Sequence, residues 1–269
     1  MELKDILDRL WNDYITQNPS AGKIFDLFTS EGEIVNNDHI AFRTLDFPEI
    51  NIDSLARKFV ENGYVPRGEY EFRDKHLFAK HYELPGDNDA PRVFISQLKL
   101  SECSEFVQES FKELYEKTNK SKFTSDDLLF SGTLFSPLSF ELYSRLRDES
   151  EYAAWFYAFG FRANHFTVSI NSLKKYDSIY KVNEFIKNNG FLMNSSGGEI
   201  KGTPEELLQQ SSTMADIVGV KFIEGVFEIP SCYYEFAERF PDSGGRLYSG
   251  FIAKSADKIF ESTNFYKKK

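Results

Sequence analysis

The stretch HIAFRTL, residues 39–45, alternates in character: Ile40 and Phe42 fall on one side of an extended chain, with His39, Ala41 and Arg43 on the other. A strand of this kind packs its apolar side under a helix. Its imidazole and guanidinium then need a polar cavity, because an unpaired charge in a closed core is very costly. The covering helix is next in the chain. NIDSLARKFVENGY, residues 51–64, places Leu55, Phe59 and Val60 on one side, and Gly63 stands where a helix stops. EYEFRDKHLFAKHYEL, the turn PGDND and PRVFISQL then read as two or three strands, so residues 39–98 run β, α, then β strands.

The same order returns after a helical insert at about residues 101–159. NHFTVSI (164–170) is a strand with His165, Thr167 and Ser169 on one face, and the helix that follows ends at Gly190. Further strands come from VGVKFIEGVFEIPSCYYEFAERF, residues 218–240, in which Tyr233, Glu235 and Ala237 oppose Tyr234 and Phe236. Gly63 follows His39 by 24 positions and Gly190 follows His165 by 25, and an aromatic residue, Tyr64 or Phe191, comes directly after each glycine. This register implies an internal duplication with modules at about 33–98 and 160–253. Leu3, Ile6, Leu7, Leu10, Trp11 and Tyr14 at helical spacing, then Ile24, Phe25, Leu27 and Phe28, predict two helices ahead of the first module. The whole is expected to be a single domain over 1–269.

Composition narrows the function classes. A net charge of -10 and a pI near 5.1 argue against a nucleic acid partner, since phosphate binding needs a concentrated basic face. The terminal KKK reads as a solvated tail. Apolar runs are interrupted well before the roughly 20 residues of a membrane helix, and the N-terminus begins an amphipathic helix, so the expected address is the cytoplasm. Cys103 and Cys232 form no CxxC pair and read as reduced. His76 and His81, in the charged segment KHLFAKHY, read as surface residues.

Two histidines and a carboxylate converging on one cavity are the donor set of non-haem iron(II), and the same donors take zinc. Their spacing here does not decide between these, nor exclude hydrogen-bonded structural histidines. However, DHIAFRTL, FRANHFTVSI and YYEFAERF resemble, in order and over nearly the whole chain, the ligand-bearing motifs of the 2-oxoadipate dioxygenase/decarboxylase family. LLQQSSTMAD and SGFIAKSADKIFEST extend the likeness. The resemblance implies an α+β fold similar to the vicinal oxygen chelate (glyoxalase/extradiol dioxygenase) superfamily, in which two βαβββ modules form a partly open, cup-shaped mixed sheet. It implies metal ligation by His39, His165 and Glu235, with Fe(II) the expected ion and zinc or another divalent metal the alternative. VFISQL stands where the first module would carry a matching glutamate, so a single site is expected. Arg43 corresponds to the arginine that holds a substrate carboxylate, and Ser255 to a substrate-contacting serine. Lys254 departs from the family's valine, which bears on substrate identity.

The implied reaction consumes a 2-oxo acid and O2, converting 2-oxoadipate to 2-hydroxyglutarate and CO2. Arg43 follows His39 by four residues, roughly 13 Å along the same face, which suits an extended diacid held at both ends. A salt bridge to a neighbouring acid is the other reading of Arg43. Arg162, Ser211, Ser212 and Tyr233 are further candidates around the site. The rival functions are a zinc-type hydrolase or lyase on the same cup and a non-catalytic protein that binds a small acid.

Overall fold

A computed structural model of the chain describes residues 1–252. Lys254, Ser255 and the terminal lysines lie outside the described residues. Two helices, α1 (Leu3–Gln17) and α2 (Pro19–Ser30), precede the first module, which runs β1 (Asn37–Leu45), α3 (Ile52–Glu61), β2 (Val65–Phe72), β3 (Leu77–Glu83) and β4 (Arg92–Leu98). The insert supplies α4 (Glu105–Lys117), α5 (Phe140–Glu149) and α6 (Glu151–Phe159). The second module runs β5 (Ala163–Ser169), α7 (Ile179–Asn188), β6 (Leu208–Ser212), β7 (Ile217–Phe222), β8 (Gly225–Pro230) and β9 (Glu235–Arg239).

Seven strands share one mixed sheet in the order β2-β3-β4-β1-β5-β9-β6. The opening strands of the modules, β1 and β5, lie antiparallel at its centre. Each is flanked by the parallel last strand of its own module, β4 or β9. The curled sheet makes the expected cup. Its convex side is greasy: Phe42 of β1 meets Phe59 of α3, and Phe166 of β5 meets Trp11 and Tyr14 of α1. With the apolar faces under helices, the polar faces of β1 and β5 must line the concave side.

Helices α3 and α7 end in the same way. Gly63 and Gly190 have φ of 92° and 86°, a left-handed conformation that costs glycine little. The amide of the aromatic residue after each glycine reaches back to a carbonyl in the last turn, Tyr64 to Phe59 and Phe191 to Ile186. The register of the two copies thus has a structural cause.

The second module departs from the pattern. β7 and β8 form a separate two-stranded hairpin, and β6, from a polar stretch that did not read as a strand, takes the sheet position beside β9. Phe140 of α5 stacks on Phe227 of β8 at 3.7 Å and meets Phe222 of β7 edge-on, which fixes the hairpin against the insert. Among the described residues, no helix is long and apolar enough to cross a membrane.

Candidate metal centre

His39, His165 and Glu235 converge on the cup floor from β1, β5 and β9, with one ligand atom from each lying within 4.8 Å of the others. Glu235 Oε1 is 3.5 Å from His39 Nε2, and Oε2 is 3.3 Å from His165 Nε2. All three are buried, at 2%, 5% and 1% exposure.

A β-bulge aims each imidazole. The β1–β5 ladder slips at Asp38 and again at Asn164, the residues immediately before the two histidines. An extra residue in a strand turns its side chain out of the regular alternation. Asp38 thereby places a carboxylate 2.8 Å from His39 Nδ1, and Asn164 places its amide oxygen 3.0 Å from His165 Nδ1. With Nδ1–H donating, each Nε2 lone pair is left to face Glu235. Asp38 is itself gripped by Arg239, whose Nε and Nη2 donate to it at 2.6 and 2.9 Å. Against the desolvation of full burial, Arg239 and His39 hold the Asp38 carboxyl far below the usual range.

The electrostatics suit a cation. Burial pulls both histidines below their ordinary values, against Asp38 for His39 and with the help of the His39 and Arg43 charges for His165. Neutral imidazoles are the ligating form. Burial, with some help from Asp38, pushes the Glu235 carboxyl up to about 8. A divalent ion is the counter-charge that relieves such a group. Gln210 Nε2 donates to Glu235 Oε1 at 2.5 Å and Thr167 Oγ1 stands 3.1 Å from His39 Nε2. Gln210 Oε1 and Ser212 Oγ are buried without a hydrogen-bond partner among the described residues. The register of β6 on β9 puts both on the Glu235 face. Donor type, spacing and these orphaned oxygens fit a metal with its ligand.

The duplication explains why the described residues form one such cluster and not two. Across the parallel ladders, Thr167, two residues after His165, pairs with Glu235, and Ala41, two residues after His39, pairs with Phe94. Phe94 therefore occupies the position of a second carboxylate, inside the VFISQL stretch where the sequence lacks one.

Arg43 is 1% exposed, its guanidinium lies 4.8 and 5.0 Å from the ring centres of Tyr152 and Trp155, and Nη1 donates to Glu151 at 3.0 Å. It stays charged: desolvation opposes this, but Glu151 raises its value overall. The neighbouring-acid reading of Arg43 is thus realised, and its place on the cup face is realised with it. Tyr233 stacks on His165 at 4.8 Å, and Ser212 faces the cup. The other two candidates turn elsewhere, Ser211 to Asn183 of α7 and Arg162 towards Asp13 of α1. Ser255 is outside the described residues.

His81 corrects the surface reading. It is 2% exposed, bonded through Nδ1 to Tyr70 and through Nε2 to Glu83, with Phe251 packed on its ring. Its strand lies under a segment from the far end of the chain, which local charge could not reveal. His76 is exposed, beside Glu102. Asp38, Asn164, Gln210 and Glu151 were missed as site residues; an acid or amide precedes each histidine, but regular alternation would point it away from the site.

A profile of the 2-oxoadipate dioxygenase/decarboxylase family matches residues 3–130 and 129–248. The chloroplastic 2-oxoadipate dioxygenase/decarboxylase of Arabidopsis thaliana is 36% identical over 97% of this chain and 77% of its own. The chain belongs to the 2-oxoadipate dioxygenase/decarboxylase family. Among solved structures, the rice hydroxyglutarate synthase in complex with 2-oxoadipate superposes with a TM-score of 0.90 at 35% identity, covering 97% of this chain and 91% of that one. A Shewanella frigidimarina protein provisionally described as a hydrolase gives a TM-score of 0.89 at 48% identity, covering 94% and 98%. A Ralstonia eutropha protein provisionally placed in the glyoxalase superfamily shares the fold, with a TM-score of 0.76 at 18% identity over 90% and 83% of the two chains. Membership of this family makes the protein an oxidoreductase with the glyoxalase-like cup expected from the motifs.

Proposed function

We propose that the protein is an Fe(II)-dependent dioxygenase that decarboxylates a small 2-oxo diacid such as 2-oxoadipate, giving 2-hydroxyglutarate and CO2. The observation that carries this reading is the facial set of two neutral imidazoles and one carboxylate with Arg43 further along the same strand. Iron, when bound, supplies the redox chemistry that couples loss of CO2 to insertion of both atoms of O2 into the shortened acid.

This chain's own residues hold and orient. His39, His165 and Glu235 would hold the ion, and a donor set of only three side chains would leave it able to take the 2-oxo acid and O2. The Arg43 guanidinium pairs with the distal carboxylate, and Glu151 with the two aromatic rings keeps it aimed. Gln210, bonded to Glu235, fixes the plane of that carboxylate, and its buried oxygen together with Ser212 is available to the bound ligand. The aromatic walls exclude water from the reacting centre. Glu235 acts as a ligand, not as a general base.

Anaerobic purification with metal analysis, followed by oxygen uptake with a panel of 2-oxo acids, tests the reading. Iron with substrate-dependent loss of O2 and release of CO2 is the expected result. Zinc with no oxygen consumption would overturn it in favour of a hydrolase or lyase, and a retained acid without turnover would favour a binding protein.

A further inference from the structure

The chain between His39 and Arg43 has a floor and a wall that the reaction as proposed leaves unexplained. Ala41 is the one residue of β1 between them that faces the cup, because alternate side chains share a face and the β1–β4 ladder is regular from His39 to Leu45. Its cross-strand neighbours are Phe94 on β4 and His165 on β5. The Phe94 ring meets Phe251 at 4.9 Å, and Phe251 stands edge-on to His39 at 4.8 Å. An aromatic wall therefore runs from the His39 ring along Ala41, with Tyr233 stacked on His165 facing it. Between the metal ligands and Arg43, the cup face of β1 thus presents a single methyl group with an apolar flank.

Pseudo-symmetry shows what the wall replaced. Phe94 stands at the position of Glu235 in the other module, and a carboxylate there would repel an anionic ligand lying along Ala41. We propose that Ala41 and Phe94 form the saddle for the methylene chain of the acid and determine which chain length is accepted. This rests on the diacid reading given above. Ala41 contributes by being small, since any larger side chain would enter the space the ligand must cross. Phe94 contributes by excluding water beside the methylenes and by limiting how far a longer chain can bow sideways.

The test is anaerobic calorimetry on the metal-loaded full chain with oxaloacetate, 2-oxoglutarate, 2-oxoadipate and 2-oxopimelate, in wild type, Ala41→Val and Phe94→Leu. Metal affinity, measured by chelator competition, reports that each variant keeps its cup. Ala41→Val, which adds two methyl groups, should weaken 2-oxoadipate about tenfold or more relative to the shortest acid, since even one extra methylene in a binding site costs about that much. Phe94→Leu should raise the affinity for 2-oxopimelate relative to 2-oxoadipate by about tenfold. Variants that load metal normally and keep the wild-type order of affinities would overturn the saddle while leaving the diacid reading intact. Wild type that binds none of these acids would overturn the diacid reading and the saddle together, and that failure is visible before any variant is made.

Discussion

Asp38 shows how much depends on a single side chain. It is 4% exposed, lies at a bulge, and links the Arg239 guanidinium to the Nδ1 of His39. His165 has only a neutral amide, from Asn164, in the matching place. Asp38→Asn keeps the shape and removes the charge, and it should lower metal affinity by roughly 10- to 100-fold, read by competition with a chelator. Unchanged affinity would show that the carboxylate does not tune His39. His165→Ala should abolish metal binding while the circular dichroism spectrum stays native, and full metal content would remove His165 from the ligand set. Arg43→Ala should weaken 2-oxo diacids far more than 2-oxo monoacids of equal length, whereas equal losses would argue against its contact with a distal carboxylate. Alternation singled out the two histidines and Glu235 as polar groups on greasy strands, and the family resemblance joined them into one ligand set. Asp38 and Asn164 were not singled out, because strict alternation points both into the core and only the bulges turn them.

At the scale of elements, a carboxylate adds to the Phe140 stacking that holds the hairpin β7–β8 against the insert. Glu224, in the turn of the hairpin, accepts from the Phe140 and Glu141 amides and the Ser139 hydroxyl at the start of α5. The Phe140 N–H, with its neighbours, holds the carboxyl at about 2, down from 4.5. A depressed folded-state value means that the stabilisation is present above about 4.5 and is lost as pH falls through about 2. Glu224→Gln should therefore lower Tm at neutral pH, with the difference from wild type shrinking across that acid window; a difference independent of pH would mean the charge is irrelevant. Gly160, between α6 and β5, has φ of 63°, and a Cβ there would sit 2.4 Å from the Gly132 carbonyl oxygen. Gly160→Ala should lower stability by more than about 2 kcal/mol in urea titration. Helices α3 and α7 and strands β1, β4, β5 and β9 could be read from period and punctuation. β6 could not, because Gln209, Gln210, Ser211 and Ser212 look like loop residues and are buried through side-chain partners and the cup itself. That β7 and β8 leave the sheet was equally hidden, since a strand's alternation does not say which sheet it joins.

Across the whole molecule, duplication supplies the cup and asymmetry supplies the function. The two modules bring β1 and β5 together about a pseudo-two-fold relation, and each contributes a histidine from the same place. Glu235 completes the set in one half, and Phe94 turns the other half into an apolar wall. The order of motifs made this plan readable, and the missing glutamate in VFISQL announced the single centre. The burial of His81 beneath Phe251 was out of reach, because that contact joins the first module to residues at the far end of the described chain. The central claim is that one ion is held by three side chains from distant parts of the polypeptide. Diffraction from iron-loaded crystals, recorded across the iron absorption edge, tests it most directly. One anomalous peak at about 2.0–2.2 Å from His39 Nε2, His165 Nε2 and a Glu235 oxygen is the expected result; a peak elsewhere, or one that leaves any of the three beyond bonding distance, would contradict the account.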